Sequence, residues 1–429
     1  STGGTLSTTT AGTSNFRAGV NAGNSIASGG DKNVLIGDEA GTAITTGDQN
    51  VAIGFEALKT EDAASSSVAV GALALSTQNA GSGDAYNTAV GRKAGFAVTT
   101  GVNNTLIGGL AGDALTVGGV NIAIGKSALT ADTKGSNSVA IGFSALETQN
   151  FTTATDVYNV AVGSKAGEAV TTGEQNTLIG GLSGDALNTG TLNVALGYNS
   201  LGADTKGNRS TALGRSTLAA QNFTTSTSAY NVAAGFNAGT AVTTGINNIL
   251  MGGLAGDALT DADRNVAIGT QALSADTLGS KSIAIGDAAL RTQNFTTATD
   301  TYNVAVGHNA GLAVTTGAVN TLIGGLSGDA ITTGDYNTTL GVSTLGANTA
   351  SNKNTAIGGN SMVAFNVTTD TDTLNTAVGY GSGQAVTTGI KNTLIGALAG
   401  VATTDADFNV AVGVQALTTN VLGSQSTAI

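Results

Sequence analysis

The sequence predicts an all-β fold, a parallel β-solenoid of about 22 coils, and three observations support this prediction. The pentapeptide Asn50-Val51-Ala52-Ile53-Gly54 recurs in close copies along almost the whole chain of 429 residues. Successive copies follow each other too closely for a helix-turn-helix unit. The chain is rich in Thr, Val, Ile and Gly, which favour strands and turns over helices. A hexapeptide left-handed β-helix is the alternative fold, but no six-residue subperiod occurs within a coil.

A longer period of four coils is superimposed on the single coils. The ordinary step between motif glycines is seventeen residues, as from Gly37 to Gly54, and five longer steps have three or four residues more. These long coils end at Gly91, Gly163, Gly235, Gly307 and Gly379, which are spaced by seventy-two residues. A fixed short period indicates units that bury their apolar face only against their neighbours. We therefore expect one continuous rod with a four-coil superperiod, about 100 Å long if each coil rises by the spacing of strands.

The repeat divides the chain into two segments. Residues 1–32 are rich in Ser, Thr and Gly, and we interpret them as an irregular linker or N-terminal cap. Residues 33–429 form the continuous repeat domain, which is interrupted in mid-coil at Ile429. A solenoid that ends there exposes a raw strand edge, so we expect the native protein to continue.

Composition excludes several classes of function. The chain has 16 basic and 28 acidic side chains, a net charge of −12 and no basic cluster, which argues against nucleic-acid binding. No stretch is long and apolar enough to insert into a membrane. Cysteine is absent and His308 is the single histidine, so neither a Cys-based metal site nor a His-based triad fits within one chain. We predict no catalytic residue, no cofactor and no metal, and hence no enzyme.

The residue four positions before the motif glycine is Asn in 18 copies and Ser in four. Stacked coils bring these side chains into one column, where Asn amides can bond from coil to coil and hold the turn backbone. The predicted structural Asn ladder includes Asn50, Asn87, Asn104, Asn121, Asn159, Asn176 and Asn193.

The short strand before the motif glycine is apolar on both faces. Val51 and Ile53 share one face, which we predict to be the core side, and Ala52 takes the other. The middle position becomes leucine in other copies, for example Leu106, so the second face also needs cover. We therefore expect a homotrimer in which three solenoids pack around a common axis.

The repeat resembles two kinds of surface protein. Residues 137–142, which read Asn-Ser-Val-Ala-Ile-Gly, resemble the head repeat of YadA-like trimeric autotransporter adhesins. Residues 193–201 are similar to repeats in bacteriophage tail fibres. The resemblance covers residues 33–429 and implies a left-handed, trimeric β-roll on an extracellular appendage. The coil is longer than in the adhesin head, and no coiled-coil stalk or membrane anchor is visible, which favours a virion fibre.

The long coils are the candidate receptor-contact sites. Their extra residues are expected to bulge outwards, and their Thr hydroxyls and aromatic rings suit contact with a glycan or a protein on a host cell. The alternative is that the Phe and Tyr rings fold back and pack on the solenoid or on a neighbouring chain. The candidates are Asn150, Phe151, Thr152, Tyr158, Asn222, Phe223, Tyr230, Asn294, Phe295 and Tyr302.

Two further motifs recur. A Gly-Asp-Ala motif places Asp113, Asp185, Asp257 and Asp329 at the same distance after a motif glycine. Successive copies are about 19 Å apart in one chain, so only a trimer could gather them around a cation, and a solvated or turn-capping role is favoured. A Thr-Thr-Gly motif recurs mainly at four-coil intervals, so we expect no continuous plane of threonines.

The predicted function is a structural and adhesive fibre, a phage tail fibre or similar virion appendage for host attachment. A bacterial cell-surface trimeric adhesin and a self-assembling extracellular filament are the alternatives. The predicted partners are two further copies of the chain and a glycan or protein receptor on the host.

Overall fold

A computed structural model describes the backbone of residues 6–7 and all of residues 10–429. These residues form two compact units. The first comprises the described residues up to Ser210 together with Asn222–Ser228, and the second comprises Thr211–Gln221 together with Ala229–Ile429. Each unit is a parallel β-solenoid, and the described residues contain about 24 coils and no helix. The predicted all-β parallel solenoid is therefore confirmed.

One short strand from each coil stacks in parallel on the equivalent strand of the next coil. In the first unit these strands are Phe16–Ala18, Val34–Ile36, Val51–Ile53, Val68–Val70, Thr88–Val90, Thr105–Ile107, Ile122–Ile124, Val139–Ile141, Val160–Val162, Thr177–Ile179 and Val194–Leu196. In the second unit they are Thr211–Leu213, Val232–Ala234, Ile249–Met251, Val266–Ile268, Ile283–Ile285, Val304–Val306, Thr321–Ile323, Thr338–Leu340, Thr355–Ile357, Thr376–Val378, Thr393–Ile395, Val410–Val412 and Thr427–Ala428. Equivalent residues pair directly, as Thr105 does with Ile122.

The remaining strands lie beside this main stack. Leu6–Ser7 pairs antiparallel with Phe16–Ala18, which in turn pairs in parallel with Val34–Ile36. The repeat thus begins within the segment predicted to be a linker or cap. Each long coil adds a two-residue strand that pairs with the preceding coil. In the first unit these pairs are Ala64–Ser65 with Gly83–Asp84, Gly135–Ser136 with Thr155–Asp156, and Gly207–Asn208 with Thr227–Ser228. In the second unit they are Gly279–Ser280 with Thr299–Asp300, and Ser351–Asn352 with Thr371–Asp372.

The core lies on the side of the middle residue of each strand. Ala140 is fully buried, whereas its neighbours Val139 and Ile141 are only partly covered and point outwards. The prediction that the residue just before the motif glycine marks the core side is wrong. The interior is too narrow for two walls of β-branched side chains, and alanine is small enough to let the walls approach closely.

Leucine and glycine complement each other inside the solenoid. Leu106 occupies a middle position, where most coils have alanine. A Cβ added to Gly95 or Gly112 would lie 2.7–2.8 Å from a Cδ atom of Leu106, so those two glycines make room for it. Other coils with alanine in the middle position bury a leucine from the opposite wall, as Ala123 and Leu129 show. In these coils the large and small side chains exchange walls, which keeps the core closely packed.

The motif glycine permits both the turn and the close approach of successive coils. Gly108 has a φ of 134°. A Cβ there would lie 2.5 Å from the carbonyl oxygen of Gly125 in the next coil. A side chain therefore meets backbone that cannot move away without breaking the stack.

Replacing Gly108 by alanine should lower the free energy of unfolding by about 2 kcal/mol or more, because it combines an unfavourable φ with a clash against backbone. The adjacent Gly109 is the matched control, since a Cβ there meets no atom within 4 Å. We expect Gly109→Ala to leave the urea unfolding midpoint almost unchanged. Equal midpoints for the two variants would contradict this account of the motif glycine.

Candidate functional site

The asparagines at the head of the strands form a ladder inside the solenoid. Asn176 is fully buried, and its Nδ2 donates a hydrogen bond of 2.9 Å to the carbonyl oxygen of Gly190. Its Oδ1 accepts a hydrogen bond of 3.0 Å from the backbone N–H of Asn193 in the next coil. Each side chain therefore holds a turn of its own coil and the strand of the next one. All seven asparagines predicted for this ladder are fully buried, namely Asn50, Asn87, Asn104, Asn121, Asn159, Asn176 and Asn193.

Serine replaces asparagine in this column where a glutamine side chain enters the interior. Ser138 is such a residue, and its Oγ accepts a hydrogen bond of 3.0 Å from Nε2 of Gln149. The Oε1 of Gln149 accepts a hydrogen bond of 2.9 Å from Nδ2 of Asn159. Serine leaves room for the longer amide, so the ladder continues through Gln149.

The glutamine amide also binds a buried carboxylate. Nε2 of Gln149 donates a hydrogen bond of 2.6 Å to Oδ2 of Asp132 in the preceding coil. Oδ1 of Asp132 accepts hydrogen bonds from the backbone N–H groups of Gly135 (3.0 Å) and Phe151 (3.1 Å). We call Asp132, Gln149, Ser138 and Asn159 an acid-amide cluster. All four members are fully buried.

The same cluster recurs at other long coils. In the first unit, the Glu61 carboxylate accepts a hydrogen bond from Nε2 of Gln78, which also donates to the hydroxyl of Ser67. Oε1 of Gln78 accepts a hydrogen bond from Nδ2 of Asn87. In the second unit the corresponding residues are Asp276, Gln293, Ser282 and Asn303. Asp204 accepts from the backbone N–H groups of Gly207 and Phe223, as Asp132 does from Gly135 and Phe151.

The fifth copy shows that the members of the cluster depend on one another. There Asn348 replaces the acid, Phe365 replaces the glutamine, and Asn354 occupies the column where the other copies have serine. Phe365 is fully buried. The acid, the glutamine and the serine are therefore exchanged together. A buried carboxylate without its amide donor is unfavourable, and so is a buried amide without its acceptors.

Burial raises the pKa of the Asp276 carboxyl above its ordinary value. Hydrogen bonds from the backbone N–H of Phe295 and from the amide of Gln293 oppose this effect, but desolvation of the charged form is the largest cause.

The cluster anchors the start of the long coils that contain it. The backbone N–H that Asp132 binds belongs to Phe151, the second residue of the predicted Asn150-Phe151-Thr152 contact. Phe151 is only 5% exposed, and Phe223 and Phe295 are buried in the same way. These rings pack into the solenoid as the alternative interpretation expected. Burial removes these three phenylalanines from any surface that meets a receptor.

The other candidate contact residues lie nearer the surface. Tyr158, Tyr230 and Tyr302 are more than half exposed, and Thr152 is exposed. The three asparagines are tied to the preceding coil, because their Oδ1 atoms accept hydrogen bonds from threonine hydroxyls. The bonds are Thr133 to Asn150 (3.0 Å), Thr205 to Asn222 (2.9 Å) and Thr277 to Asn294 (3.0 Å). Receptor contact by these exposed residues stays a prediction.

These threonines belong to a second ladder, which the sequence reasoning missed. The residue eight positions after the motif glycine is Thr or Asn in nearly every coil. Its hydroxyl donates to the next coil, as Thr116 does to the carbonyl oxygen of Thr133 (2.8 Å) in the first unit and Thr332 to that of Thr349 (2.9 Å) in the second. Asn interrupts this column, so it has at most three threonines in succession and is not a continuous plane of threonines. This ladder is hard to recognise in the sequence because the column contains both Thr and Asn.

The Gly-Asp-Ala carboxylates lie half-buried at the surface. Oδ1 of Asp113 accepts a hydrogen bond of 2.6 Å from the hydroxyl of Thr130 in the next coil. Oδ1 of Asp185 is shielded from solvent and has no hydrogen-bond partner among the described residues. The next coil has Gly202 where Thr130 would stand, which explains the missing donor. Burial raises the pKa of Asp185, Asp257 and Asp329.

Residues 6–7 and 10–429 contain no cluster of three or more His, Asp or Glu side chains suited to a metal ion. His308 is 63% exposed at the side chain, and its Nε2 lies 3.6 Å from Oδ2 of Asp287. Among the described residues no helix is long and apolar enough to cross a membrane. No protein-family model matches this chain, and a comparison with curated proteins gives no match.

Replacing Gln149 by phenylalanine alone should lower the free energy of unfolding by about 3 kcal/mol, because it removes the amide donor from a fully buried carboxylate, Asp132. It also removes one of the two acceptors of the Asn159 amide, which keeps its bond to the carbonyl oxygen of Gly173. The shift of the urea unfolding midpoint measures this effect.

A multiple variant that copies the fifth cluster is the control. It combines Asp132→Asn, Ser138→Asn, Gln149→Phe and Phe151→Val, in which each new residue stands at the equivalent position of the fifth copy. This variant should recover most of the lost stability, since no buried charge is left without a donor. A single variant as stable as the unchanged protein would refute the role of the cluster.

Stability should fall as the pH rises through the folded pKa of Asp276. Because that pKa is raised, the folded state holds the proton more tightly than the unfolded state. The stabilising contribution is complete below the ordinary aspartate pKa of about 4 and is lost as the pH rises through the higher folded value. Thermal melting between pH 3 and pH 8 tests this, with Asp276→Asn expected to flatten the pH dependence. The surface variant Asp405→Asn is the control, and an equal flattening by both variants would contradict the assignment to Asp276.

Proposed function

We propose that the chain forms a homotrimeric structural and adhesive fibre outside the cell, as a phage tail fibre or similar virion appendage that attaches to a host. The observation that carries this proposal is the outward strand face of each unit. The outward residues of the stacked strands are Val, Ile, Leu, Met, Ala, Phe or Thr, and none of them is charged. In a chain with 16 basic and 28 acidic side chains, this absence calls for a physical reason.

The outward strand face is apolar and partly open to solvent in the single chain. Leu196 is 48% exposed and Val194 36% in the first unit, and Leu340 is 47% exposed in the second. Each strand contributes two residues to this face, and the strands stack one after another along each unit. Extended apolar patches of this kind are rare on monomeric proteins and mark sites of protein association.

A second copy of the same chain is the partner that fits this face. The face offers apolar residues at the repeat distance of the coils, and another copy offers a face with the identical repeat. Identical subunits associate in closed symmetric assemblies. Three-fold closure matches the resemblance of the repeat to YadA-like heads and to tail fibres, in which three rolls share one axis.

Attachment is assigned to the long coils. Their Thr and Tyr side chains include exposed ones such as Thr152 and Tyr158, and they recur once in every four coils. The acid-amide cluster holds the base of the long coils that contain it, so their exposed residues are presented on a fixed support. A bacterial trimeric adhesin is the second candidate, because residues 137–142 resemble the head repeat of that family.

Arginines in the outward strand face should prevent trimer formation, because three of them would bring unpaired charges into an apolar interface. The variant carries arginine at Val162, Ile179 and Leu196. We expect the unchanged chain to have three times the mass of one chain by light scattering, and the variant to be monomeric. A stable monomer of the unchanged chain would rule out the trimer.

The matched control places arginine at Asn137, Gln175 and Leu192, in the column just outside the outward strand face. That column already contains Arg264 and Lys281 in the second unit. This control should keep the trimer mass.

Attachment can be tested with the labelled chain on a panel of bacteria and in competition with phage adsorption. The proposal predicts binding to particular strains and reduced adsorption of the phages that infect them. Variants in which each long coil is shortened to the length of an ordinary coil should lose binding but keep the trimer mass. Unchanged binding by these variants would exclude the long coils as the contact.

A further inference from the structure

A groove lies beside the long coil that contains Asn222–Ser228, within the first unit. It has a volume of about 500 Å³. Two regular coils and the long coil contribute residues to its lining. Its lining residues are Ala186, Asn188, Thr189, Thr205, Lys206 and Thr224.

The groove is rich in hydrogen-bond donors. Four donor groups of the lining have no hydrogen bond to any described residue of the chain. They are Nδ2 of Asn188, the hydroxyls of Thr189 and Thr224, and Nζ of Lys206. The Oδ1 of Asn188 is already occupied by the hydroxyl of Thr171 at 2.8 Å, so the amide presents its N–H groups. A wall of this kind is complementary to a ligand rich in oxygen atoms.

The charge of the groove is opposite to that of the protein. Lys206 forms no ion pair with a described residue, and no Asp or Glu lines the groove. The whole chain carries a net charge of −12. A positive charge left unpaired in an acidic protein, beside hydroxyl and amide donors, favours an anionic group on a hydroxylated ligand.

The equivalent position in the second unit shows that the fold does not require these residues. One superperiod further along, Asp261 stands where Thr189 is, and Leu278 stands where Lys206 is. The scaffold therefore accepts a carboxylate and an apolar side chain at these positions. The donor-rich chemistry of the groove is a local property of the first unit.

We propose that this groove binds an anionic saccharide, with Lys206 facing the acidic group and Asn188, Thr189 and Thr224 facing sugar hydroxyls. The proposal rests on the proposed attachment function and names the chemical class of the receptor. The acidic group can be a carboxylate or a sulfate ester. Polygalacturonate tests for recognition of the carboxylate, and dextran sulfate tests for recognition of the sulfate ester.

The test measures binding of the 429-residue chain to immobilised polygalacturonate, dextran sulfate and neutral dextran. We expect binding to polygalacturonate, to dextran sulfate or to both, and none to neutral dextran. Lys206→Leu and Thr189→Asp copy the second unit, so both variants should fold. Each should weaken binding about tenfold, the loss of roughly one charge-assisted hydrogen bond.

Lys126→Leu is the control for total charge, since it removes a lysine of the first unit outside the groove. It should bind as the unchanged chain does. Absence of binding to both anionic polymers, or equal binding by all three variants, would overturn the proposal. Equal groove-dependent binding to duplex DNA would overturn it as well, because a phosphate would then be the recognised group. The attachment proposal has its own readout, since a chain with an inactive groove can still bind host cells through the exposed tyrosines.

Discussion

The structure depends on satisfying polar groups inside a very narrow interior. The core is narrow, because most strands contribute only an alanine to it, and a leucine in that place, such as Leu106, is accommodated by glycines, so little apolar area is buried per coil. Each buried Asn side chain directs its donor to a carbonyl of its own coil and its acceptor to an N–H of the next coil, as Asn176 does. Turn backbone is thereby held without water. These hydrogen bonds couple each coil to the next, so a solenoid with a thin core is stabilised by the contacts between neighbouring coils.

The same constraint governs the insertions. A long coil must leave the regular path and return to it, which frees backbone N–H groups that lie inside. Asp132 accepts one of these N–H groups, that of Phe151, together with the N–H of Gly135 in its own coil, and Gln149 connects the carboxylate back to Asn159. The long coil is therefore built into the hydrogen-bond network. This explains why an exposed loop and a buried acid recur with the same period.

Much of the fold could be predicted from the sequence, because the period and the Asn column are local patterns. The side of the core could not be inferred from apolarity, since both faces of the strand are apolar. Side-chain volume does indicate the core side, because the large Leu106 occurs together with Gly95 and Gly112, which make room for it. The acid of the cluster was missed because Asp132 stands one full coil before Gln149. In ordinary coils the position equivalent to Asp132 is apolar, for example Leu115. An acid at this otherwise apolar position indicates that a polar partner lies nearby in the core.

The reversed core changes the argument for association. If the Val and Ile residues faced inwards, the outward face would consist mainly of alanine, which offers little area to a partner. The structure instead buries the alanines and leaves the larger β-branched residues outside. Covering these residues removes more apolar surface from water, so the driving force for association is greater than the sequence suggested. In the proposed fibre, the outward strand face would meet copies of the chain, and the exposed residues of the long coils would meet the receptor.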